Sequence, residues 1–132
     1  MTTVPAGFSS VTPYFFVADA EKFIDFLAAG LGGRETLRSL RPDGKIANAQ
    51  VVLGNCTVMV SDATEQYPPM AASYYLYVED ADAAVARALV GGATLAMPVG
   101  NMPYGDRQGG VRDPAGNLWW LSQRLASGPY GE

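Results

Sequence analysis

The residue types that usually carry catalysis are scarce in this chain. It contains no histidine and a single cysteine, Cys56. The absence of histidine removes the commonest general base, the usual activator of serine and cysteine nucleophiles, and the commonest metal ligand. A lone cysteine cannot form an internal disulfide, which favours a reducing compartment. Acid–base or metal chemistry would therefore have to rest on carboxylates.

Local structure accounts for most of those carboxylates. Asp19 and Asp80 precede helical patterns as N-caps, and further acidic residues follow in the first helical turns, where the helix dipole favours them. Asp43 and Asp113 stand in turn sequences. Five others show no strand spacing that would aim two of them into one groove; they are Glu35, Asp62, Glu65, Glu79 and Asp106. For catalysis without a metal, Asp106 and Glu35 are the candidate general bases, and the spacing favours neither.

The composition bounds the class of protein. A chain of 132 residues that is 48% hydrophobic fits a single domain, 1–132, with a substantial core. Its net charge of −4, with nine Lys and Arg spread along the chain, argues against nucleic acid and leaves neutral or cationic small molecules as easier partners. No apolar run is long enough to cross a bilayer, and the first residues lack a secretory pattern. We expect a soluble, cytoplasmic protein with no membrane partner.

The first part of the chain predicts the element order βαβββ. The helix is capped by Asp19 and ends at Gly30 or Gly32-Gly33. Its apolar residues recur at steps of three and four: Ala20, Phe23, Ile24, Leu27, Ala28 and Leu31. The predicted strands are 10–17, 34–40, 46–53 and 57–61, with turns at 41–45 and 54–55.

The same pattern then starts again. Tyr14-Phe-Phe-Val-Ala-Asp-Ala-Glu21 aligns with Tyr75-Leu-Tyr-Val-Glu-Asp-Ala-Asp82, 61 residues later, and the same offset brings 57–61 onto 118–122. We place module one at about 8–62, a proline-bearing linker at about 63–71 and module two at about 72–124. Because one such unit cannot cover its own sheet, the fold class is α+β, with two βαβββ modules forming a cupped mixed sheet around a groove.

Module two ends in the most informative stretch of the chain. Asp113-Pro-Ala-Gly-Asn117 is turn chemistry, since Pro114 presets φ and Gly116 tolerates positive φ. It predicts a hairpin between 108–112 and the aromatic strand 118–122, which holds both tryptophans. Before it, 93–98 is predicted to be a strand and 100–105 a loop.

These motifs resemble the vicinal oxygen chelate superfamily, which includes glyoxalase I and bleomycin-resistance proteins. The PhnB-like branch is indicated by Asp43-Gly-Lys45, Val58-Met-Val-Ser-Asp62 and Tyr104-Gly-Asp-Arg-Gln-Gly-Gly-Val-Arg-Asp-Pro-Ala-Gly-Asn-Leu-Trp-Trp120. The resemblance covers 12–123 and implies paired βαβββ modules, often as a homodimer. It also implies four metal-ligand positions, which fall at Thr12, Met59, Ser73 and Trp120. In the branch, His and Glu often follow the Asp-Gly-Lys turn and a His follows the last hairpin Gly. This chain has Asn48, Gln50 and Asn117 there.

Those side chains are not a plausible ligand set for a divalent transition metal, so we expect a groove without a metal and no cofactor. Strand parity places Leu118 and Ser122 in the groove with Trp120, whereas Trp119 faces the helix. The candidate ligand-binding residues are Trp120, Tyr75, Tyr14, Phe16, Met59, Asn48, Gln50, Tyr104 and Arg107. The alternative for each aromatic residue is ordinary core packing. The alternative for Arg107 is an ion pair with an aspartate that anchors its loop.

Three functions are compatible with this pattern. The first is metal-free binding of a small drug or metabolite, aromatic or cationic. The second is a metal-independent lyase or isomerase of the same superfamily. The third is a non-catalytic regulatory or interaction module whose groove is filled. Catalytic residues are not assigned by the sequence.

Overall fold

The computed structural model describes residues 2–131. Within them lie eight strands and two helices, in the order β1 (Tyr14–Val17), α1 (Ala20–Leu31), β2 (Arg34–Leu40), β3 (Ile46–Leu53), β4 (Cys56–Asp62), β5 (Ser73–Tyr77), α2 (Ala81–Val90), β6 (Thr94–Asn101), β7 (Asp106–Arg112) and β8 (Leu118–Arg124). Neither helix has the length and apolar character that crossing a membrane would require.

The chain divides into two compact units, one ending at Met70 and the other beginning at Ala71. Each unit has the order βαβββ and its own four-stranded sheet, β1-β4-β3-β2 in the first and β5-β8-β7-β6 in the second. In both sheets the first strand lies parallel to the last, and the other neighbours are antiparallel. The predicted α+β class with two βαβββ modules is confirmed. That the two units form one domain stays a prediction.

Strand register confirms the internal repeat. Tyr14 pairs with Met59 in the first sheet, and Tyr75 pairs with Trp120 in the second. Both members of the second pair lie 61 residues beyond their counterparts, as the alignment predicts. The hairpins differ, since Leu53 pairs with Cys56 across two residues, whereas Asp113 and Asn117 enclose three. Because of the extra turn residue, equivalent positions in β3 and β7 are 60 residues apart, whereas those in β4 and β8 are 61 apart.

The two helices begin in the same way. The side chain of Asp19 accepts a hydrogen bond from the Lys22 amide at 3.1 Å, and Asp80 accepts one from the Ala83 amide at 3.1 Å. Each helix is also held by the strand beside it. Asp62 Oδ1 accepts from the Ala20 amide at 2.9 Å, and Gln123 Oε1 accepts from the Ala81 amide at 3.1 Å. The predicted caps are correct, and the repeat extends to single hydrogen bonds.

The core of the first unit lies between α1 and its sheet. The ring centroids of Phe15 from β1 and Phe23 from α1 are 4.9 Å apart, and both side chains are buried. The predicted apolar stripe is wrong at one position, because Ala28 is exposed and Phe26 is buried instead. Gly30 explains the difference: a Cβ at this residue would stand 2.6 Å from the Phe26 ring, so the glycine leaves room for it.

In the second unit, β6 extends further than expected. It runs to Asn101 rather than ending at Pro98, which shortens the predicted 100–105 loop. Pro98 is tolerated because β6 lies at the edge of its sheet, and the register shifts between Met97 and Gly100. β7 in turn begins at Asp106, so this residue belongs to a strand and not to the loop.

The hairpin between β7 and β8 is held by one side chain. Asp113 Oδ1 accepts from the Ala115 and Asn117 amides at 2.8 and 3.0 Å. Its Oδ2 accepts from Asn117 Nδ2 at 3.0 Å and from Trp119 Nε1 at 2.8 Å. The turn and the buried Trp119 therefore share one acceptor, which fixes the indole on the helix side of β8 as strand parity predicts.

We predict that Asp113→Ala lowers the free energy of unfolding by about 3 kcal/mol, because it leaves buried donors without acceptors. Urea unfolding followed by tryptophan fluorescence measures the loss. Asp43→Ala is the matched control: Asp43 accepts one bond, from the exposed Lys45 amide at 2.9 Å, and its loss should cost about 0.5 to 1 kcal/mol. Equal losses in the two variants would contradict this account of the hairpin.

Candidate functional site

A fully buried carboxylate lies at the start of β7. Asp106 has no exposed surface, and its oxygens accept four hydrogen bonds from other side chains. Oδ1 accepts from Arg124 at 2.9 Å. Oδ2 accepts a very short bond from the Tyr75 hydroxyl, a bond from the Tyr130 hydroxyl at 2.7 Å, and one from Ser122 Oγ at 3.2 Å. The donors come from β5, from β8 and from the segment after β8.

These donors keep Asp106 ionised. Burial by itself would raise the pKa of this carboxyl group. The hydrogen bonds from Tyr75, Arg124, Tyr130 and Ser122 outweigh burial and lower its pKa to about 2. The phenols respond in the opposite direction. Burial, and then the bond to Asp106, raises the pKa of Tyr75, and burial, followed by the bonds to Tyr77 and Asp106, raises the pKa of Tyr130. At neutral pH the group is therefore an anion that accepts protons poorly, with neutral phenols around it.

Four tyrosines line an open surface pocket of about 400 Å³ in the same unit. We call Tyr75, Tyr77, Tyr104 and Tyr130 the tyrosine cluster. The Tyr77 hydroxyl lies 2.7 Å from that of Tyr130, and the Tyr104 hydroxyl donates a very short bond to Gln108 Oε1. The rings of Tyr75 and Tyr77 meet edge to face with centroids 5.3 Å apart. The hydroxyls are thus held by the protein, while the four residues remain between 43% and 56% exposed.

Arg124 joins the buried carboxylate to the segment after β8. Besides Asp106, its guanidinium donates to the Tyr104 carbonyl at 2.6 Å and to the Gly128 carbonyl at 3.0 Å. It also lies over the Tyr130 ring, 4.0 Å from the centroid. A single arginine therefore neutralises Asp106, holds the backbone of 128–129 and fixes the Tyr130 ring.

The equivalent region of the first unit lacks a carboxylate. By strand pairing, Asp106 corresponds to Ile46, which is buried. The Tyr14 hydroxyl lies 2.6 Å from Ser61 Oγ, as Tyr75 meets Ser122, but Ser61 donates to the Ala47 carbonyl. The predicted residues Asn48 and Gln50 continue this network weakly, each through a 3.4 Å bond. Phe16 packs on Tyr14, with ring centroids 4.7 Å apart.

A larger cavity of about 540 Å³ in the first unit has a different character. It lies beside the start of α1 and is lined by Ala18, Asp19, Glu21, Arg38, Leu40, Gly44, Lys45, Ile46 and Asp62. Asp19 and Asp62 are held there by backbone amides, and Arg38 is paired with Glu35 at 2.8 Å and Glu21 at 3.4 Å. None of the nine predicted ligand-binding residues lines it. Its polar groups support the fold, so we take the tyrosine cluster as the candidate site.

Of the predicted residues in the second unit, Tyr75 and Tyr104 line the tyrosine cluster. Trp120 lies on the same face of β8 as Ser122, and its Nε1 donates to Ser73 Oγ at 2.9 Å. Arg107 lies outside the pocket, bound to Asp82 through bonds of 2.6 and 3.0 Å. In the first unit, Met59 pairs with Tyr14 and Gln50 across neighbouring strands. The ligand-binding role of all nine residues stays a prediction.

In the vicinal oxygen chelate superfamily, four positions carry metal ligands. The side chains at these positions in this chain are unsuited to binding a cation. Thr12 Oγ1 donates to the Ser9 carbonyl at 3.0 Å. Trp120 offers only an N–H donor, without a lone pair for a metal, and this N–H donates to the Ser73 hydroxyl oxygen. Met59 supplies at most a soft thioether. Across residues 2–131, no three His, Cys, Asp or Glu side chains form a group that could hold a metal ion.

Three residues of this site were not anticipated as parts of one cluster. The sequence offers Asp106 only as one of two candidate general bases, and Arg124 and Tyr130 lie at or beyond the predicted end of module two. The repeat gives no signal for Asp106, because the offset of 61 aligns it with Lys45 and only the strand pairing of the structure brings it to the position of Ile46. No signal marks Tyr130 either, since the repeat has ended before it.

We predict that Asp106 makes folding stability depend on acid. Its folded-state pKa, about 2, lies below the ordinary value of 3.8, so its stabilising contribution is complete above about pH 4. The contribution is then lost as the pH falls from about 4 toward 2. Urea unfolding of the wild type and of Asp106→Asn should show a stability difference at pH 7 that shrinks across this window. The exposed α1 variant Asp25→Asn is the control, and an equal pH response in both variants would contradict the prediction.

Comparison with known proteins gives the chain its relatives. The family model described as "Glyoxalase/Bleomycin resistance protein/Dioxygenase superfamily" matches residues 8–121. An uncharacterized protein of Mycobacterium bovis is 34% identical over 125 residues, covering 86% of this chain and 82% of the relative.

Solved structures share the fold. TioX from Micromonospora sp. ML1 superposes with a TM-score of 0.76 at 28% identity, covering 89% of this chain and 99% of TioX. TnmS3 from Streptomyces sp. CB03234, described as an antibiotic binding protein, has a TM-score of 0.69 at 27% identity, covering 88% and 97%. A PhnB protein from Bacillus cereus shares the fold at 18% identity with a TM-score of 0.66. The family match over most of the chain, with the two βαβββ units, shows that this protein belongs to the glyoxalase/bleomycin resistance protein/dioxygenase superfamily and has a PhnB-like structural neighbour.

Proposed function

We propose that the protein binds a planar aromatic small molecule, without a metal ion, at the tyrosine cluster of the second unit. One observation carries the proposal: four partly exposed tyrosines line an open surface pocket of about 400 Å³ with their hydroxyls held. Ligand cavities of this size, with aromatic walls and a few polar groups, are typical small-molecule sites.

The fixed hydroxyls favour binding through the ring faces. Tyr75 is anchored on Asp106 and Tyr104 on Gln108, so their rings cannot rotate freely. A ligand that stacks on them orders few side chains as it binds, which lowers the entropic cost of association. Each aromatic contact adds about 0.5 to 1.5 kcal/mol beyond the area it buries.

The electrostatics select against strongly charged ligands. Asp106 and Arg124 form a 2.9 Å ion pair, so the polar floor of the site carries no net charge. The tyrosine ring faces can still attract a cation, and the chain has a net charge of −4. A neutral or singly cationic aromatic compound fits these features, and an anionic one does not.

Relatives support the same class of ligand. TnmS3 is described as an antibiotic binding protein, and it shares 27% of its residues with this chain. We therefore expect a drug or metabolite of the same general kind, bound rather than transformed. Homodimer formation and a cytoplasmic location stay predictions.

The alternative functions have less support. A metal-independent lyase or isomerase needs a general base, and Asp106, with a pKa of about 2 and four donors, is poorly suited to that role. Glu35, the other candidate, is held by Arg38 through bonds of 2.8 and 3.2 Å. A filled interaction module would not leave the aromatic pocket in the second unit open.

The proposal is tested by titrating the protein with naphthalene, proflavine and naphthalene-2-sulfonate as neutral, cationic and anionic probes. We predict binding of the first two, and about tenfold weaker binding in Tyr77→Leu and in Tyr104→Leu, because each loses one stacking surface. Isothermal calorimetry or tryptophan quenching measures the affinity.

Tyr67→Leu is the matched control, since Tyr67 is a similarly exposed tyrosine of the first unit that stacks on Phe16 with centroids 5.7 Å apart. Its affinity should equal that of the wild type. If no probe binds at high concentration, or if the control loses as much affinity as the cluster variants, the proposed site is wrong.

A further inference from the structure

One phenol of the tyrosine cluster, the side chain of Tyr130, is bound to Asp106 in the way that a phenolic ligand could be. Tyr130 lies after β8, in residues 125–131, which contain no helix or strand. Its hydroxyl donates to the buried Asp106 at 2.7 Å, and its ring lies under the Arg124 guanidinium and 6.3 Å from the Tyr104 ring. The other donors to Asp106 belong to the sheet, so Tyr130 alone can leave without breaking a strand pair.

We infer that Tyr130 occupies the place of the ligand, and that the ligand is an aromatic compound bearing a hydroxyl group which replaces the Tyr130 hydroxyl on Asp106. The inference rests on the proposed function and adds the chemical class of the ligand. Displacing Tyr130 exposes one acceptor position on Oδ2 and the hydroxyl of Tyr77, which lies 2.7 Å from that of Tyr130. A phenolic ligand satisfies both: it donates to Asp106 and accepts from Tyr77.

The repeat provides independent support. Module one achieves the same fold with buried Ile46 at the position of Asp106 and with Ala63 at the position of Arg124. A buried ion pair is seldom more stabilising than apolar side chains of similar size. The fold therefore does not require the Asp106 and Arg124 pair, and recognition of a hydrogen-bond donor accounts for its presence.

The geometry also explains why the ligand should donate rather than accept. Asp106 is ionised and can only accept hydrogen bonds, and Arg124 is already bonded to Asp106 and to three backbone carbonyls, Tyr104, Gly128 and Pro129. An ether oxygen in place of the hydroxyl could not donate to Asp106. It would leave the carboxylate without this hydrogen bond and place two acceptor oxygens next to each other. A ligand that makes a hydrogen bond to a charged group binds roughly 10- to 100-fold more tightly than one that leaves this bond unmade.

The test compares 2-naphthol with its methyl ether, 2-methoxynaphthalene, on the wild-type protein and on Tyr130→Ala. We expect 2-naphthol to bind Tyr130→Ala at least tenfold more tightly than the ether, and more tightly than it binds the wild type, because its competitor is gone. With 3-fluorotyrosine-labelled wild type, 2-naphthol should shift the Tyr130 fluorine resonance, assigned by its loss in Tyr130→Phe. The ether should leave that resonance in place.

Asp106→Asn should reduce the preference for 2-naphthol over the ether to within about threefold. If this variant fails to fold, the comparison of Tyr130→Ala with the wild type decides alone. Equal affinity of the two compounds for Tyr130→Ala would overturn the inference and leave the proposed aromatic site intact. Failure of both compounds to bind either protein would contradict the proposed function as well.

Discussion

A carboxylate without exposed surface stays charged only where hydrogen-bond donors replace the water it has lost. Asp106 meets this requirement because its two carboxylate oxygens accept hydrogen bonds from Tyr75 of β5, from Ser122 and Arg124 of β8, and from Tyr130 after β8. The positions of these side chains follow from that demand. The rings of Tyr75 and Tyr130 therefore lie beside the carboxylate, so two of the four walls of the aromatic pocket follow from satisfying one buried charge.

The two units separate what the fold requires from what the site requires. Helix starts are held alike in both, by Asp19 with Asp62 in one and by Asp80 with Gln123 in the other. The strand pairing is also alike. The carboxylate, its arginine and the tyrosine before β7 occur only in the second unit, where module one has Ile46, Ala63 and Gly44. The two copies of the unit thus provide an internal control. Where they differ in charge at equivalent positions, the shared fold does not require a particular residue.

This division also decides how much could be read from the sequence. Strand and helix positions follow from local signals that repeat, namely caps, turn residues and apolar periodicity, and the sequence places most of them within a few residues. The errors have local causes. Phe26 displaces Ala28 from the buried face because Gly30 admits its ring, and β6 continues through Pro98 because an edge strand tolerates a missing donor. The convergence on Asp106 involves residues far apart in the chain, and Tyr130 lies outside the repeat, so neither periodicity nor alignment indicates it.

The residues at the superfamily's metal positions change the kind of recognition that is available. A divalent cation would bind polar ligand atoms by direct coordination and would favour chelating oxygens. With Trp120 bonded to Ser73 and Thr12 bonded to the Ser9 carbonyl, these positions support the strands instead. For the proposed ligand of the second unit, affinity comes from ring surfaces and orientation from hydrogen bonds. Ring surfaces discriminate weakly among planar compounds of similar size, whereas a buried ionised acceptor strongly rejects a compound that cannot donate to it. Selectivity in such a site therefore depends on Asp106 more than on any of the four tyrosines.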